Sequence, residues 1–379
     1  MVQKYEIKDP IPDEDPSGNS IIKNVTLRSG SNKSLSHFSK CIERTTDVKT
    51  WGRLENKDLL NECYIDLTLD KLRELDSDRK AQESYIYSRS KFLDKNMINV
   101  LMIKLRIDGN DLLNSQDYEY INALLSWSRN DLYIMPVLEF GSGIDHSKRL
   151  ECYNNFVIEM LSQKSSWIND DINIGMSIPS FYPRRPLADL FEIYGDEKPT
   201  FVAIDFNNSR MDKPDGVVAT VLKHFREYNE ENTFMYGVNL KPYKKGPGTS
   251  SAWDIYAVNA SFNAIGPAHS KARPVVLPGD WGSMGRIFDS DEINYPRIDE
   301  SHRDSFIYWM SDSYHVDLDQ DFEKNSKSLY PYLKRYNFEM TNNMLGEIST
   351  AIKECDKDYV KNIRNHMPDE MKSKKIIRN

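Results

Sequence analysis

The chain has 379 residues, 39% of them hydrophobic and 28% charged, with a formal net charge of −8. That length suits one large α/β domain or two medium ones, and the charge gives no global pull toward nucleic acid, so any such binding must use local basic patches. Four cysteines (Cys41, Cys63, Cys152, Cys355) lie far apart without CxxC or CxH spacing, which argues against a local zinc site and a disulfide framework. No segment has the apolar length of a membrane span and no signal-peptide pattern opens the chain, so a cytosolic (cytoplasmic) protein that does not enter membranes is expected.

Residues 1 to about 35 are polar and turn-rich (IPDEDPSGNS, LRSGSNKS) and read as an irregular arm with one short strand at Ile21 to Leu27. From Ser36 to Asp94 the pattern is mixed, with a helix expected over Leu69 to Tyr85. Order begins at Asn99, where VLMIKLRI reads as a strand. Further apolar runs follow at YIMPVLEF (133–140), INIGMSI (172–178), FVAIDF (201–206), FMYGV (234–238) and the segment from Trp253 that contains Asp254. Helices are expected between them at Tyr118 to Ser128, Lys148 to Gln163, Leu187 to Tyr194 and Val217 to Tyr228. Strand starts 29 to 39 residues apart, alternating with helices, are the signature of βα units around a parallel sheet. With no glycine-rich phosphate fingerprint, a (β/α)8 TIM-type barrel is the predicted fold, and a doubly wound open sheet is the alternative. The expected organisation is an irregular region over 1–80, the barrel over 81–325, and C-terminal helices with a basic tail over 326–379. In that last part Leu333, Phe338, Met344, Leu345, Ile348 and Ile352 recur at helical spacing.

Chemistry in such a barrel gathers at the C-terminal ends of the strands. Those ends offer Arg106 with Asp108, Glu139, Ser180, Asp205 with Asn207 and Asn208, Asn239 with Lys241, and Asp254 with Asn259. Glu139, Asp205 and Asp254 in one mouth would suit reaction at a sugar's anomeric carbon, one carboxylate as nucleophile and another handling protons. Asp254 sits among Trp, Ile and Tyr, so it must be hydrogen-bonded, paired or used. The basic patches are Arg184-Arg185, Lys241 to Lys245 and Lys372 to Arg378, each of which would serve equally as a solvated surface.

Several stretches in order then resemble the tRNA-guanine transglycosylase superfamily, including archaeal and DNA-modifying relatives, over roughly residues 80 to 366. FMYGV with the Asp254 segment is similar to the family's strand–loop–strand that ends in a Phe-Asp motif, whose Asp is the nucleophile. FVAIDFNNS stands where the family has its base-contacting strand end. INVLMIKLRIDGNDLLNSQDYEYINALL resembles the segment with an Asp-Gly turn, and YIMPVLEF places Glu139 at the family's acidic base-recognition position. KRYNFEMTNNMLGEISTAIKE is similar to the closing helices. The family's Asp-Ser-Gly-Gly-Phe-Gln motif falls on Tyr87 to Phe92, where the acid is missing, leaving Glu83, Asp94 and Asp108 as candidates for general acid/base. Its Gly-Ile-Val-Gln-Gly-Gly stretch falls on Gly175 to Ser180, without the glutamine. Its zinc motif has no counterpart after Asp254, where His269, His302 and His315 lack cysteine partners, so no metal or cofactor is expected.

The resemblance implies exchange of guanine for a 7-deazaguanine in nucleic acid through a covalent Asp254–C1′ ester. Glu139, Asp205, Asn207 and Asn239 would read the base, and Arg184, Arg185, Lys241, Lys244 and Lys245 would meet phosphates. Tyr236, Tyr256 or Phe262 could sandwich the base. The missing zinc motif and C-terminal RNA-binding domain favour DNA slightly over tRNA. Two alternatives stay open: a non-catalytic nucleic-acid-binding partner subunit, and an unrelated barrel glycosidase using Glu139 and Asp205. A partner protein or a homodimer is also left open.

Overall fold

A computed structural model of the chain describes residues 6–8, 26–29, 33–42, 59–90, 92–108, 113–127, 130–163, 174–195, 201–211, 217–227, 233–241, 244–246, 248–269, 285–314, 326–354 and 356–367. Three short strands, β1 (Glu6–Lys8), β2 (Thr26–Ser29) and β3 (Lys33–Leu35), form an antiparallel sheet. The expected strand at Ile21 to Leu27 thus starts later, and its positions 21–25 lie outside the described residues.

The rest is mixed α/β around a nine-stranded parallel sheet flanked by helices, consistent with a (β/α)8 barrel. Its strands are β4 (Ser39–Lys40), β5 (Leu60–Thr68), β6 (Ile98–Ile107), β7 (Leu132–Ile134), β8 (Val137–Phe140), β9 (Ile174–Ile178), β10 (Phe201–Asp205), β11 (Phe234–Val238) and β14 (Ala264–Ile265). The order is β4-β14-β11-β10-β9-β7-β6-β5, with β8 on β6 beside β7. The run YIMPVLEF is interrupted because Pro136 has no N–H for the ladder. An isolated parallel bridge pairs Ile42 with Asn61, where Ile42 N–H donates to Leu60 O at 3.0 Å and Glu62 N–H to Ile42 O at 2.7 Å. That bridge joins the chain just past β4 to β5, the two ends of the strand order.

Two expectations change. Strands β4 and β5 belong to the central sheet, so Ser39–Lys40 and Leu60–Thr68, within the irregular region expected over 1–80, are part of that sheet. The reason is visible in NECYIDLT: Cys63, Ile65 and Leu67 alternate with Glu62, Tyr64 and Asp66, a period of two inside a charged stretch. The Asp254 segment is a short helix, Trp253–Tyr256, that continues into a 3-10 turn at Ala257–Ala260. It occupies the crossover from β11 to β14, after a hairpin of β12 (Lys244–Gly246) and β13 (Thr249–Ser251) that is joined by β15 (Asn294–Tyr295).

The core lies on both faces of the sheet. On β6, Leu101, Ile103, Leu105 and Ile107 pack under the helices, while Ile98, Val100 and Met102 fill a second cluster with Leu60, Val137, Phe201, Ala203, Phe234, Tyr236 and Ala264. The helix expected over 69–85 is two helices, Leu69–Ser77 and Arg79–Ser90, broken at Asp78. The C-terminal helix Ser326–Lys353 clamps β4: Phe38 N–H donates to Ser349 Oγ at 2.8 Å and Lys40 N–H to Asn342 Oδ1 at 2.9 Å. Among the described residues no helix is long and apolar enough to cross a membrane.

Candidate functional site

The second cluster marks an inner face, and following each strand along it toward the C-terminal end leads from hydrocarbon to charge. On β5 the succession is Leu60, Glu62, Tyr64, Asp66; on β6 it is Met102, Lys104, Arg106; β8 brings Glu139 after Val137, and β10 brings Asp205 after Ala203. Exposure rises along the same path: Glu62 is buried, Tyr64 half-buried and Asp66 exposed.

Glu62 lies deepest. One carboxylate oxygen accepts from the Tyr236 hydroxyl and the other faces His269 Nε2. A buried carboxylate needs such partners. The His269 ring lies flat on Tyr64, centroids 3.5 Å apart and planes 3° from parallel, and the His269 backbone N–H donates to Asn239 Oδ1 at 2.7 Å. Gly266 makes this approach feasible, because a Cβ there would stand 2.4 Å from the Tyr236 oxygen and 3.0 Å from Glu62 Oε2.

Asp205, 2% exposed, accepts at Oδ1 from Asn207 N–H and from Asn239 Nδ2, each at 2.9 Å. Among the described residues its Oδ2 meets no donor. Asn207, Asn208 and Asn239 adopt left-handed backbone (φ 44°, 61° and 57°), a region that asparagine tolerates better than other side chains. The loops after β10 and β11 are laced by Asn208 N–H to Asn239 O at 2.8 Å and Lys241 N–H to Ser209 O at 2.9 Å. Lys104 holds Glu139 at 3.2 Å and Arg106 holds Asp66 at 2.8 Å. Burial, and then the negative charges of Asp66, Asp205, Glu62 and Glu139, push the Tyr64 phenol far up. The charges of four carboxylates thus bear on one phenol.

The sequence-predicted residues divide. Asp205, Asn207 and Asn239 are joined by hydrogen bonds at the ends of β10 and β11, and Glu139 stands near the end of β8 on Lys104. Asp254 is fully buried in the crossover helix, its Oδ2 taking Lys40 Nζ and the Tyr295 hydroxyl, each at 2.6 Å. Tyr295 is linked on to Thr341 Oγ1 at 2.8 Å, and burial followed by the Asp254 charge holds its phenol well above the usual range. Among the described residues no hydrogen bond or ion pair joins Asp254 to Glu139, Asp205 or Asn239. Asn259 is buried, with Arg364 Nε–H on its Oδ1 at 3.3 Å. Tyr256 donates to Ile293 O and His366 O, and Phe262 packs edge-on to Phe206, so both are core. Tyr236 stands on the inner face, where its hydroxyl is spent on Glu62.

Arg184, Arg185 and Lys241 are exposed in loops that follow strand ends. The side chains of Lys244 and Lys245, and all of Lys372 to Arg378, lie outside the described residues. Glu83 is exposed on an outer helix and paired with Arg79, and Asp108 is exposed just beyond β6. Glu62, Tyr64, Asp66 and Lys104 were not anticipated, and His269 was considered only as a zinc ligand. Among the described residues no three His, Cys, Asp or Glu side chains are grouped to hold a metal. A separate groove of about 700 Å³ runs between His37 and the helix Ser326–Lys353, lined by Asn342, Gly346, Thr350 and Tyr359, and holds none of the strand-end acids. Compared with known proteins, the chain matches no family model, and no curated protein is significantly similar to it.

Proposed function

We propose that the chain is a glycosyl-transferring enzyme that acts at an anomeric carbon, with its chemistry carried by the carboxylates around Tyr64. The Ile42–Asn61 bridge supports a sheet closed into a (β/α)8 barrel, and the mouth of such a barrel is where its reacting groups gather.

The observation that carries the reading is the posture of Asp205. Its Oδ1 is pinned by two N–H donors while Oδ2 meets none among the described residues, and its charge acts on the Tyr64 phenol. A carboxylate oriented in this way suits attack on, or charge stabilisation of, an oxocarbenium-like centre. Glu139 is more exposed and anchored by Lys104, a place from which to take or give a proton or to read a base edge. His269, oriented by Glu62, is a second proton-transfer group. Exchange of guanine for a 7-deazaguanine in nucleic acid, DNA before tRNA, is the first reaction to test. Asp205 is better placed than Asp254 to face C1′, because Asp254 would have to leave both Lys40 and Tyr295.

Nucleoside mass spectrometry on DNA and tRNA tests this, from cells that supply 7-deazaguanine precursors and express wild type, Asp205→Asn or Asp254→Asn at equal folded levels. The expected result is a deazaguanine nucleoside in DNA that disappears with Asp205→Asn. Modification that survives Asp205→Asn and vanishes with Asp254→Asn would return the nucleophile to Asp254. Hydrolysis of aryl glycosides that depends on Asp205 and Glu139, without base exchange, would favour the barrel glycosidase. Nucleic-acid binding with neither reaction would favour the non-catalytic subunit.

A further inference from the structure

The strand-end residues leave one donor and one acceptor unmet. The donor belongs to Tyr64. Its ring packs on the inner-face cluster and lies flat against His269, centroids 3.5 Å apart. Among the described residues its hydroxyl meets no hydrogen-bond partner, whereas the Tyr236 hydroxyl on the same face donates to Glu62. Burial, then the charges of Asp66, Asp205, Glu62 and Glu139, keep the Tyr64 phenol protonated, so it remains a donor.

The acceptor is Asp205 Oδ2. One amide holds it in a common frame with Tyr64: Asn239 Oδ1 accepts the His269 backbone N–H at 2.7 Å, and Asn239 Nδ2 donates to Asp205 Oδ1 at 2.9 Å. The acids differ in how their charge is balanced. Asp66 has Arg106 at 2.8 Å, Glu139 has Lys104 at 3.2 Å, and Glu62 faces the His269 imidazole. Asp205 has only amide N–H donors among the described residues. At 2% exposure its charge stays costly until a positive group meets it. A ligand that answers both needs carries a positive charge and a hydroxyl on the same ring. That describes a glycosyl ring in its oxocarbenium form.

We propose that Tyr64 contacts the substrate, its hydroxyl donating to a hydroxyl oxygen of the glycosyl ring whose positive charge faces Asp205 Oδ2. This deepens the glycosyl-transfer reading and rests on it, but its test needs no turnover.

Two probes separate the contacts: iminoribitol, a ribose-like ring whose nitrogen is protonated at neutral pH, and anhydroribitol, the neutral ring with oxygen in that place. Ligand-observed NMR titration measures the affinity of each for full-length wild type, Tyr64→Phe and Asp205→Asn. The control is Tyr308→Phe, at a tyrosine 74% exposed on the helix Glu300–Tyr314. Wild type binds the charged ring at least about tenfold more tightly than the neutral one. Tyr64→Phe weakens both rings by about three- to tenfold, the worth of one neutral hydrogen bond, and keeps the preference for charge. Asp205→Asn loses that preference, and Tyr308→Phe binds as wild type. Tyr64→Phe also melts with wild type, since its hydroxyl has no protein partner to lose. Unchanged affinity of Tyr64→Phe for both rings would overturn the inference; a preference for charge that still depends on Asp205 would then leave the glycosyl-transfer reading standing. A melting temperature of Tyr64→Phe several degrees below wild type would also overturn it, by showing the hydroxyl bonded within the protein. Binding of neither ring to wild type would overturn the inference and count against the glycosyl-transfer reading with it.

Discussion

Replacing Lys40 by alanine tests whether Asp254 is a structural acceptor. The Asp254 side chain is 0% exposed and that of Lys40 22% exposed, so the ammonium reaches toward water while the carboxylate does not. Without Lys40 the carboxylate keeps the Tyr295 hydroxyl at 2.6 Å and a poor hydrogen bond from Ile255 N–H at 3.2 Å. Breaking a buried pair from one side costs about 3–5 kcal/mol, because the remaining charge is left uncompensated; partial exposure of Lys40 places this case near the lower end, at about 3 kcal/mol. Asp254→Asn retains an acceptor for Tyr295 and costs about 1–2 kcal/mol. The double variant Lys40→Met with Asp254→Leu removes both charges and recovers most of the loss. Urea unfolding followed by circular dichroism measures all three, with a constant m-value required for the comparison. Lys40→Ala within about 0.5 kcal/mol of wild type, together with an Asp254→Asn chain that is stable but inactive, would refute the reasoning and make Asp254 a reacting group.

Two further outcomes follow from the same interior. Gly266→Ala puts a methyl group 2.4 Å from the Tyr236 hydroxyl, so it costs about 1–3 kcal/mol by overpacking and separates Tyr236 from Glu62; a melting temperature equal to wild type would count against this packing. Tyr236 and Tyr295 are held well above the ordinary 10.0 chiefly by burial, and Tyr182 is pushed up to about 12. Above pH 10 the unfolded chain releases phenolic protons that the folded chain keeps. Stability should therefore be fully present below pH 10 and fall as pH rises toward the folded values. Absorbance at 295 nm would show these phenols ionising together with unfolding; reversible titration of all 21 tyrosines near pH 10 in a folded chain would contradict it.

The strand–helix alternation was legible from Asn99 to Val238 because strands buried on both faces read as continuous apolar runs between turn residues. FMYGV and the helix Leu187–Tyr194 have the predicted bounds. Strand β5 was obscured for the opposite reason: its inner face carries Glu62, Tyr64 and Asp66, so the segment reads as polar unless period two is counted. Strands β4 and β14 are two residues each, shorter than any periodicity can resolve. The Trp253 segment is apolar apart from Asp254 because Ile255 and Tyr256 are fully buried and the helix Ser326–Lys353 packs against it. A short apolar run of that kind does not distinguish helix from strand.

The site followed the same logic. Glu139, Asp205 and Asn239 stand out in the sequence because each lies at the close of an apolar run, which in a parallel βα sheet is the C-terminal end of a strand. Asp254 stands out for a different reason, an acid among aromatics, and its burial calls for the partners that the fold supplies. Its partners, Lys40 and Tyr295, are 214 and 41 residues away in sequence and carry no local signal. Glu62 and His269 are 207 residues apart and meet only because β5 and the end of β14 come together across Gly266. What separates the two buried acids is their surroundings. Asp254 ends in an ammonium and a phenol packed under a helix, whereas Glu62 supports an imidazole stacked on the ring of Tyr64, with the buried Asp205 and the more exposed Glu139 and Asp66 acting on the same phenol. A carboxylate that neutralises a neighbour stabilises the fold; one that orients a proton-carrying ring near further strand-end acids is the arrangement the proposed chemistry would use.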